Sequence, residues 1–219
     1  MELFLYDRVL ALFSAVPYQP PQANEEIPST IDLTPHLTNT SLQTHRGEEG
    51  VRLLQELIGC RILSGDQKSD RRLTSEDVDD IIKQMSLVLS ETFKAASQMP
   101  VHFQVSHRVD LAWLLQCSLN QPLPNAFELF GVDFLVVDEG GANNSLGIKL
   151  LEINAEPAIE LTGPRLSWIL KDLFIQIGKT YVEPFFDPKV ADSESWLIGD
   201  TKEHFIKCLD GRIRGMSGI

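Results

Sequence analysis

Two aliphatic and β-branched segments flank a polar, glycine-containing stretch near the middle of the chain. Residues 131–137 and 147–154 are separated by the sequence DEGGANNSL. Apolar runs joined by such a turn-rich segment predict a β-hairpin. If the turn is centred between Ala142 and Asn143, Asp133 lies directly across from Glu152 on the neighbouring strand.

Strict alternation along the second strand predicts which side chains share a face. The even-numbered positions form one face: Ile148, Leu150, Glu152 and Asn154. The odd-numbered positions form the other face: Lys149, Leu151 and Ile153. Glu152 and Asn154 therefore point the same way, with Asp133 opposite Glu152. Two unshielded carboxylates at a cross-strand Cβ separation of about 4.5–5.5 Å repel each other, and a divalent cation would relieve that cost.

An aspartate, a glutamate and an asparagine carbonyl form an all-oxygen ligand set, which suits magnesium better than zinc. Magnesium takes one or two protein carboxylates and completes its coordination with water and substrate phosphates. A nucleoside triphosphate is then the expected bridging ligand. The alternative is that Asp133 and Glu152 are ordinary charges on a solvated strand face.

Composition indicates a chain that can bury a core and amounts to one domain, or to one lobe and a half. Of its 219 residues, 43% are hydrophobic and 23% are charged. The opening MELFLYDRVLALFSAV is interrupted by Asp7 and Arg8 and alternates like a strand or short hairpin. Neither a signal peptide nor a membrane-spanning segment is predicted.

Cysteine usage and net charge narrow the function classes. The three cysteines, Cys60, Cys117 and Cys208, have irregular spacing, which is typical of reduced thiols in a cytoplasmic or nuclear protein. The net charge is −12, with 19 lysines and arginines against 31 acidic residues. Because nucleic-acid binding depends on a basic patch, no direct binding to nucleic acid is expected.

Apolar spacing predicts three helices. The first covers residues 51–58, and the second follows Thr74, which forms a capping box with Asp77. The third is capped by Thr162 and ended by Gly178, and its inward positions are Leu166, Ile169, Leu170, Leu173, Phe174 and Ile177. Residues 187–219 are predicted to form a polar, poorly ordered tail.

Three sequence blocks together resemble a known family. GVDFLVVDE and KLLEINAEPA, with DLTPHLTNTSLQ upstream, are similar to the tubulin–tyrosine ligase family of the ATP-grasp superfamily. The likeness covers about residues 4–186. Within the family, the sequence is similar to the C-terminal ligase-like domain of a fungal P-body-associated subgroup, in which this domain is fused to a SurE-type domain.

The resemblance implies an α+β fold, namely an ATP-grasp-like C-terminal lobe in which helices pack on antiparallel sheet. It assigns residues 1–186 to a partial domain that is incomplete because the family's upstream lobe is absent. No lysine precedes Lys68, and Leu12 occupies the position of a family arginine, with Arg8 the nearest basic residue. A fragment without the upstream lysines is expected to be inactive by itself.

Residues 105–121 interrupt the resemblance, because HFQ runs straight into PLPNAFE in the subgroup. The insertion begins with Val-Ser and ends with Ser-Leu-Asn-Gln, which matches the ends of a short fungal intron read in frame. We therefore expect an unspliced intron. The alternative is a genuine loop that packs Trp113, Leu114 and Leu115 on the surface.

In the complete protein, the resemblance implies ATP-dependent amide-bond formation through an acyl-phosphate intermediate. Asp133, Glu152 and Asn154 would hold magnesium. The ribose and adenine would be lined by His36, Leu37, Thr38 and Asn39, and Leu151 would press on the base. The structural alternatives are a core leucine at position 151 and local turn contacts at positions 36–39.

Two other functions remain open from the sequence. One is a catalytically silent interaction module of a P-body or RNA-granule protein, and the other is an ATP-grasp ligase with a substrate other than tubulin. The expected partners are the tubulin C-terminal tail or another protein acceptor, and P-body components. No nucleic acid and no membrane is expected, and the expected location is the cytoplasm, including P-bodies.

Overall fold

A computed structural model describes residues 1–18, 33–38, 49–63, 70–98, 126–139, 145–155, 157, 164, 166–187, 189 and 196–211. Within these residues the strands form three antiparallel sheets. Strand β1 (Glu2–Tyr6) pairs with β7 (Phe205–Asp210), which also pairs with β6 (Thr201–Lys202). Strand β2 (Leu10–Leu12) pairs with β3 (Val51–Leu53), and β4 (Gly131–Asp138) pairs with β5 (Leu146–Asn154). The expected combination of antiparallel sheet and packed helices is confirmed.

The helix α1 (Ser75–Gln98) begins with the predicted capping box. The Thr74 hydroxyl accepts a hydrogen bond from Asp77 N at 3.1 Å, and Asp77 Oδ2 accepts one from Thr74 N at 2.8 Å. The buried stripe of α1 packs beneath the β4–β5 hairpin, and its members include Val78, Ile81, Met85, Leu89 and Phe93. The cap satisfies backbone groups at the start of the helix, and the apolar stripe packs the helix against one face of the hairpin.

The predicted helix at residues 51–58 is wrong. Val51–Leu53 is strand β3, and a short 3₁₀ turn, Leu54–Leu57, follows it. Val51 and Leu54 are nonetheless both buried. The apolar spacing that suggested a helix instead serves a strand that pairs with β2, followed by one tight turn.

The helix α2 (Ser167–Ile177) buries Leu166, Ile169, Leu173 and Ile177 as predicted, whereas Phe174 is exposed. As predicted, α2 ends next to Gly178, which is its C-cap residue, although Gly178 itself keeps a right-handed helical conformation. The chain continues through a π-helical turn, Gly178–Val182, into the short helix α3 (Glu183–Phe186). Thr162, the predicted cap, lies outside the described residues.

The prediction of a poorly ordered tail is wrong for residues 196–211. Strand β7 buries Phe205, Lys207, Cys208 and Leu209 and pairs with β1 along its length. Lys207 hid this strand from the sequence pattern, because a lysine at a core position breaks the apolar alternation. Its ammonium group is paired with Glu2 Oε1 at 2.6 Å and Asp210 Oδ2 at 2.7 Å, which allows its burial.

The suspected insertion at residues 105–121 lies outside the described residues, and both explanations of it stay predictions. No helix in the described ranges is both long enough and apolar enough to cross a membrane.

Candidate functional site

The register of the hairpin confirms that Asp133 and Glu152 are directly opposite each other. Gly131 pairs with Asn154 two positions along β4, so Asn154 shares the face of the two carboxylates. The Asn154 amide donates a hydrogen bond from Nδ2 to Glu152 Oε1 at 3.1 Å. Three oxygen-bearing side chains thus meet at one end of the hairpin.

A β-bulge lies beside the carboxylates and changes the predicted faces. The register passes from Asp133 opposite Glu152 to Phe134 opposite Leu150, so it skips Leu151. The extra residue shifts the alternation by one position. The prediction that Ile148 and Leu150 share a face with Glu152 is therefore wrong.

The inner face of the hairpin is the one that packs on α1, and it carries Val132, Phe134, Ile148 and Ile153. The opposite face, termed the site face here, carries Asp133, Leu135, Lys149, Glu152 and Asn154. Pro157 lies close to Gly131 at one end of the site face, since a Cβ added at Gly131 would lie 2.7 Å from the Pro157 Cβ. At the other end, Glu139 lies over Gly147.

The electrostatics of the pair favour a cation. The pKa of Asp133 is raised above its ordinary value, first by desolvation and then by the hydrogen bond and the negative charge of Glu152. Among the described residues, no lysine or arginine forms an ion pair with either carboxylate. Two hard carboxylate ligands and an amide oxygen suit magnesium, so the donor set fits the ion that the sequence suggested.

The amide is essential to that fit. Within the described ranges, no three His, Cys, Asp or Glu side chains come together as a metal-binding group. A cation on the site face would therefore depend on Asn154 as its third protein ligand, with water and phosphate oxygens completing the coordination.

Leu151 is the bulged residue and is 61% exposed. Such exposure rules out the alternative of a core leucine. The prediction that Leu151 and Ile153 share a face is also wrong, because Ile153 packs in the core and Leu151 does not. An exposed leucine next to Glu152 offers apolar surface to a flat ligand, so its predicted contact with the base stays open.

Of the residues predicted to line the ribose and adenine, His36 lies in a turn formed by residues 34–36, and Leu37 and Thr38 follow it. The backbone N–H groups of His36 and Leu37 donate to Leu33 O at 2.9 and 3.0 Å. The His36 ring meets the Tyr18 ring edge to face at 5.5 Å between centroids. His36 and Thr38 are exposed, and Asn39 lies outside the described residues. These contacts match the local-turn alternative, and the nucleotide role of positions 36–39 stays a prediction.

A second polar cluster, which sequence reasoning missed, joins the end of β1 to α2 and to the β6–β7 turn. Arg8 Nη1 lies 3.0 Å from Asp172 Oδ2, and Nη2 donates to His204 Nε2 at 2.7 Å. The guanidinium also lies 4.6 Å from the Trp168 ring centroid. Arg8 is thus already engaged within the fold. Sequence offers no signal for a cluster whose members are about 200 positions apart.

The other members of the cluster complete its hydrogen bonds. The Tyr6 hydroxyl donates to Asp172 Oδ2 at 2.7 Å, and His204 Nδ1 donates to Asp7 Oδ1 at 2.9 Å. The hydrogen bond from Tyr6 and then the charge of Arg8 lower the pKa of Asp172, against an opposing effect of burial. His204 has φ 67° and Glu203 φ 47°, which suits a tight hairpin turn. The cluster anchors that turn to the first strand.

The fold is similar to a crystal structure of the C-terminal domain from K. lactis Pby1, an ATP-grasp enzyme interacting with the mRNA decapping enzyme Dcp2. The two align with a TM-score of 0.55 and 25% sequence identity, over 96% of this chain and 44% of that one. This similarity confirms the ATP-grasp fold.

Sequence comparisons agree with the structural one. The model of the tubulin–tyrosine ligase family matches residues 1–189. "Probable tubulin–tyrosine ligase PBY1" of Saccharomyces cerevisiae is 31% identical over 96% of this chain and 23% of its own length. A probable tubulin–tyrosine ligase of Schizosaccharomyces pombe is 29% identical over 85% of this chain and 36% of its own length. The chain thus spans about a quarter to a third of these relatives, and it belongs to the tubulin–tyrosine ligase family.

Proposed function

We propose that this chain forms the magnesium- and nucleotide-binding part of an ATP-dependent ligase that joins a carboxylate to an amine. The observation that carries the proposal is the pairing of Asp133 with Glu152, with Asn154 on the same face. Membership of the tubulin–tyrosine ligase family supports this reaction class.

Asp133, Glu152 and Asn154 are the residues that would hold magnesium. When bound, the ion supplies Lewis-acid support and a template for the phosphates of ATP. The two carboxylates contribute negative charge that a cation offsets, and the amide adds a neutral oxygen. The strands of the hairpin hold the three side chains in place, because α1 supports the inner face through Phe134 and Ile148. Such support limits the reorganisation needed on binding.

Leu151 would contribute apolar surface to the base of the nucleotide. Its side chain is exposed and adjacent to Glu152 in the sequence. Residues His36, Leu37, Thr38 and Asn39 would lie toward the ribose and adenine. The acceptor would be a protein; the tubulin C-terminal tail is one candidate, and a substrate other than tubulin is the alternative.

Calorimetric titration of the full chain with ATP, in the presence and absence of magnesium, tests this proposal. We expect magnesium-dependent binding that Asp133→Asn and Glu152→Gln each weaken at least about tenfold, equivalent to ~1.4 kcal/mol. Asp79→Asn is the matched control, because Asp79 is an exposed aspartate on α1. Equal affinities for the Asp133→Asn variant and the unaltered chain would rule out the proposed ligand set.

A second candidate function is an interaction module of a cytoplasmic P-body protein. It is favoured by the K. lactis relative, an enzyme that interacts with the decapping enzyme Dcp2. Under this function, Glu152→Gln would leave the association with a decapping enzyme unchanged in a pull-down assay. Loss of that association together with loss of ATP binding would instead link partner binding to the nucleotide site.

A further inference from the structure

The bulge at Leu151 brings Lys149 onto the site face. Lys149 is the cross-strand partner of Leu135, which lies two positions from Asp133 on β4. Because residues two apart on a strand share a face, Lys149 points to the same side as the carboxylate pair. The distance along the strand is about 7 Å, from a rise of roughly 3.3 Å per residue. Strict alternation of the sequence had placed this lysine on the opposite face.

The ion pair that holds Lys149 is loose. Its Nζ atom lies 3.8 Å from Glu139 Oε1, and the two side chains are 61% and 49% exposed. Lys207, by contrast, has two carboxylate partners within 2.7 Å and is almost fully buried. An exposed ion pair with a long contact contributes little to stability, so the Lys149 ammonium group can turn to a ligand at small cost.

A nucleotide bound on the site face would need positive charge in addition to a divalent cation. A divalent cation offsets the charges of Asp133 and Glu152, but the phosphate chain of a nucleotide adds further negative charge. A lysine is a compact, flexible point charge that binds phosphate readily. Lys149 provides that charge within reach of the pair, beside the exposed apolar side chains of Leu135 and Leu151.

We propose that Lys149 binds the phosphate chain of the nucleotide on the site face. This inference rests on the proposed function, since it assumes that a nucleotide occupies this face. On binding, the ammonium group leaves Glu139 and contacts phosphate oxygens. Lys149 binds the ligand directly and takes no part in proton transfer.

The test compares the affinities of the full chain for ATP and for adenosine with magnesium present. Lys149→Ala is expected to weaken ATP binding about tenfold, or ~1.4 kcal/mol, and to leave adenosine binding within about twofold. Lys149→Arg keeps the charge and is expected to retain most of the ATP affinity. The salt dependence of ATP binding should be weaker for Lys149→Ala than for the unaltered chain, because one charge contact is lost.

Lys83→Ala is the matched control, because Lys83 is an exposed lysine on α1, which packs against the inner face. Thermal unfolding of each variant shows whether the fold is retained. Unchanged ATP affinity of Lys149→Ala, with normal binding by the unaltered chain, would overturn the role of Lys149 alone. An equal loss for ATP and adenosine would overturn the contact with phosphate. Absence of ATP binding by the unaltered chain would overturn the proposed function itself, and this inference with it.

Discussion

Asp133 and Glu152 are cross-strand partners, and among the described residues neither has an ion-pair partner of opposite charge. The fold thus keeps two carboxylates together on an outer sheet face, where desolvation and then Glu152 raise the pKa of Asp133. Like charges directly opposite each other in a sheet are destabilising. Local conflicts of this kind are typical of functional sites.

Replacing Asp133 with Asn should therefore stabilise the fold at neutral pH by about 0.2–1 kcal/mol, the usual range for a cross-strand pair. The raised pKa of Asp133 means that the folded state binds its proton more tightly than the unfolded state does. The tighter proton binding by Asp133 therefore stabilises the fold at low pH, and this stabilisation is lost as the pH rises through the pKa of Asp133 in the folded state. Urea unfolding at neutral pH and near pH 4 measures the difference, which should shrink toward the lower pH.

Asp79→Asn, which changes an exposed aspartate on α1, serves as the control for this prediction. A lower free energy of unfolding for Asp133→Asn at neutral pH, in the absence of magnesium, would contradict the assignment of repulsion to this pair.

Leu151→Ala should leave the free energy of unfolding within about 0.5 kcal/mol of the unaltered chain, as for most exposed positions. Ile148→Ala, on the inner face of the same strand, should cost about 2–5 kcal/mol, because it opens a cavity against α1. Urea unfolding measures both. Equal losses for the two variants would mean that Leu151 is packed, contrary to its 61% exposure.

Thr74→Ala should destabilise the fold by about 1 kcal/mol, because it removes the hydroxyl that caps α1. Thr74→Ser, which keeps the hydroxyl, should cost much less. Although burial opposes it, hydrogen bonds from Thr74 and the charge of Arg71 lower the pKa of Asp77. The lowered pKa of Asp77 stabilises the fold above the pKa of an unfolded aspartate, and this stabilisation is lost as the pH falls. The free energies of unfolding of Thr74→Ala and Thr74→Ser should therefore converge in acid. Denaturant unfolding across this pH range checks the trend.

Lys207→Ala should destabilise the fold by about 1–3 kcal/mol, the usual range for a substitution that removes a buried, paired side chain. The loss stays below that for an unpaired buried charge, because the Glu2 and Asp210 side chains are 46% and 22% exposed. It leaves Glu2 and Asp210 without the ammonium group that lies between them. Lys207→Met keeps the aliphatic volume and isolates the electrostatic part of the loss. Thermal unfolding of the two variants separates packing from charge, and an unchanged stability of Lys207→Ala would show that the pairing contributes nothing.

Local sequence patterns were enough to predict much of the β4–β5 hairpin and the start of α1. The opposition of Asp133 and Glu152 followed from the position of a turn, and the start of α1 followed from Thr74 and Asp77. The bulge could not be predicted, because Leu150 and Leu151 are both leucines and either register satisfies an apolar pattern. Its effect is large, since one extra residue reverses the face of Lys149.

Long-range pairing was the other source of error. Strand β7 pairs with β1 across about 200 positions, and β3 pairs with β2 across about 40. Periodicity describes only neighbouring residues, so it mistook Val51–Leu53 for part of a helix. The Arg8 cluster was missed for the same reason, because Arg8 meets Asp172 and His204 only in the folded chain.

The pairing of β1 with β7 also determines where the chain can be cut for recombinant expression. The family match stops at residue 189, and a protein ended there would lack Phe205–Asp210. Strand β1 already lies at the edge of its sheet, and without β7 its backbone would lose the strand that it pairs with in the described residues, so Phe4 and Leu5 would lose their cross-strand neighbours. Open apolar edges template aggregation, so inclusion bodies from such a truncation would reflect a misplaced boundary and would say nothing about the nucleotide site.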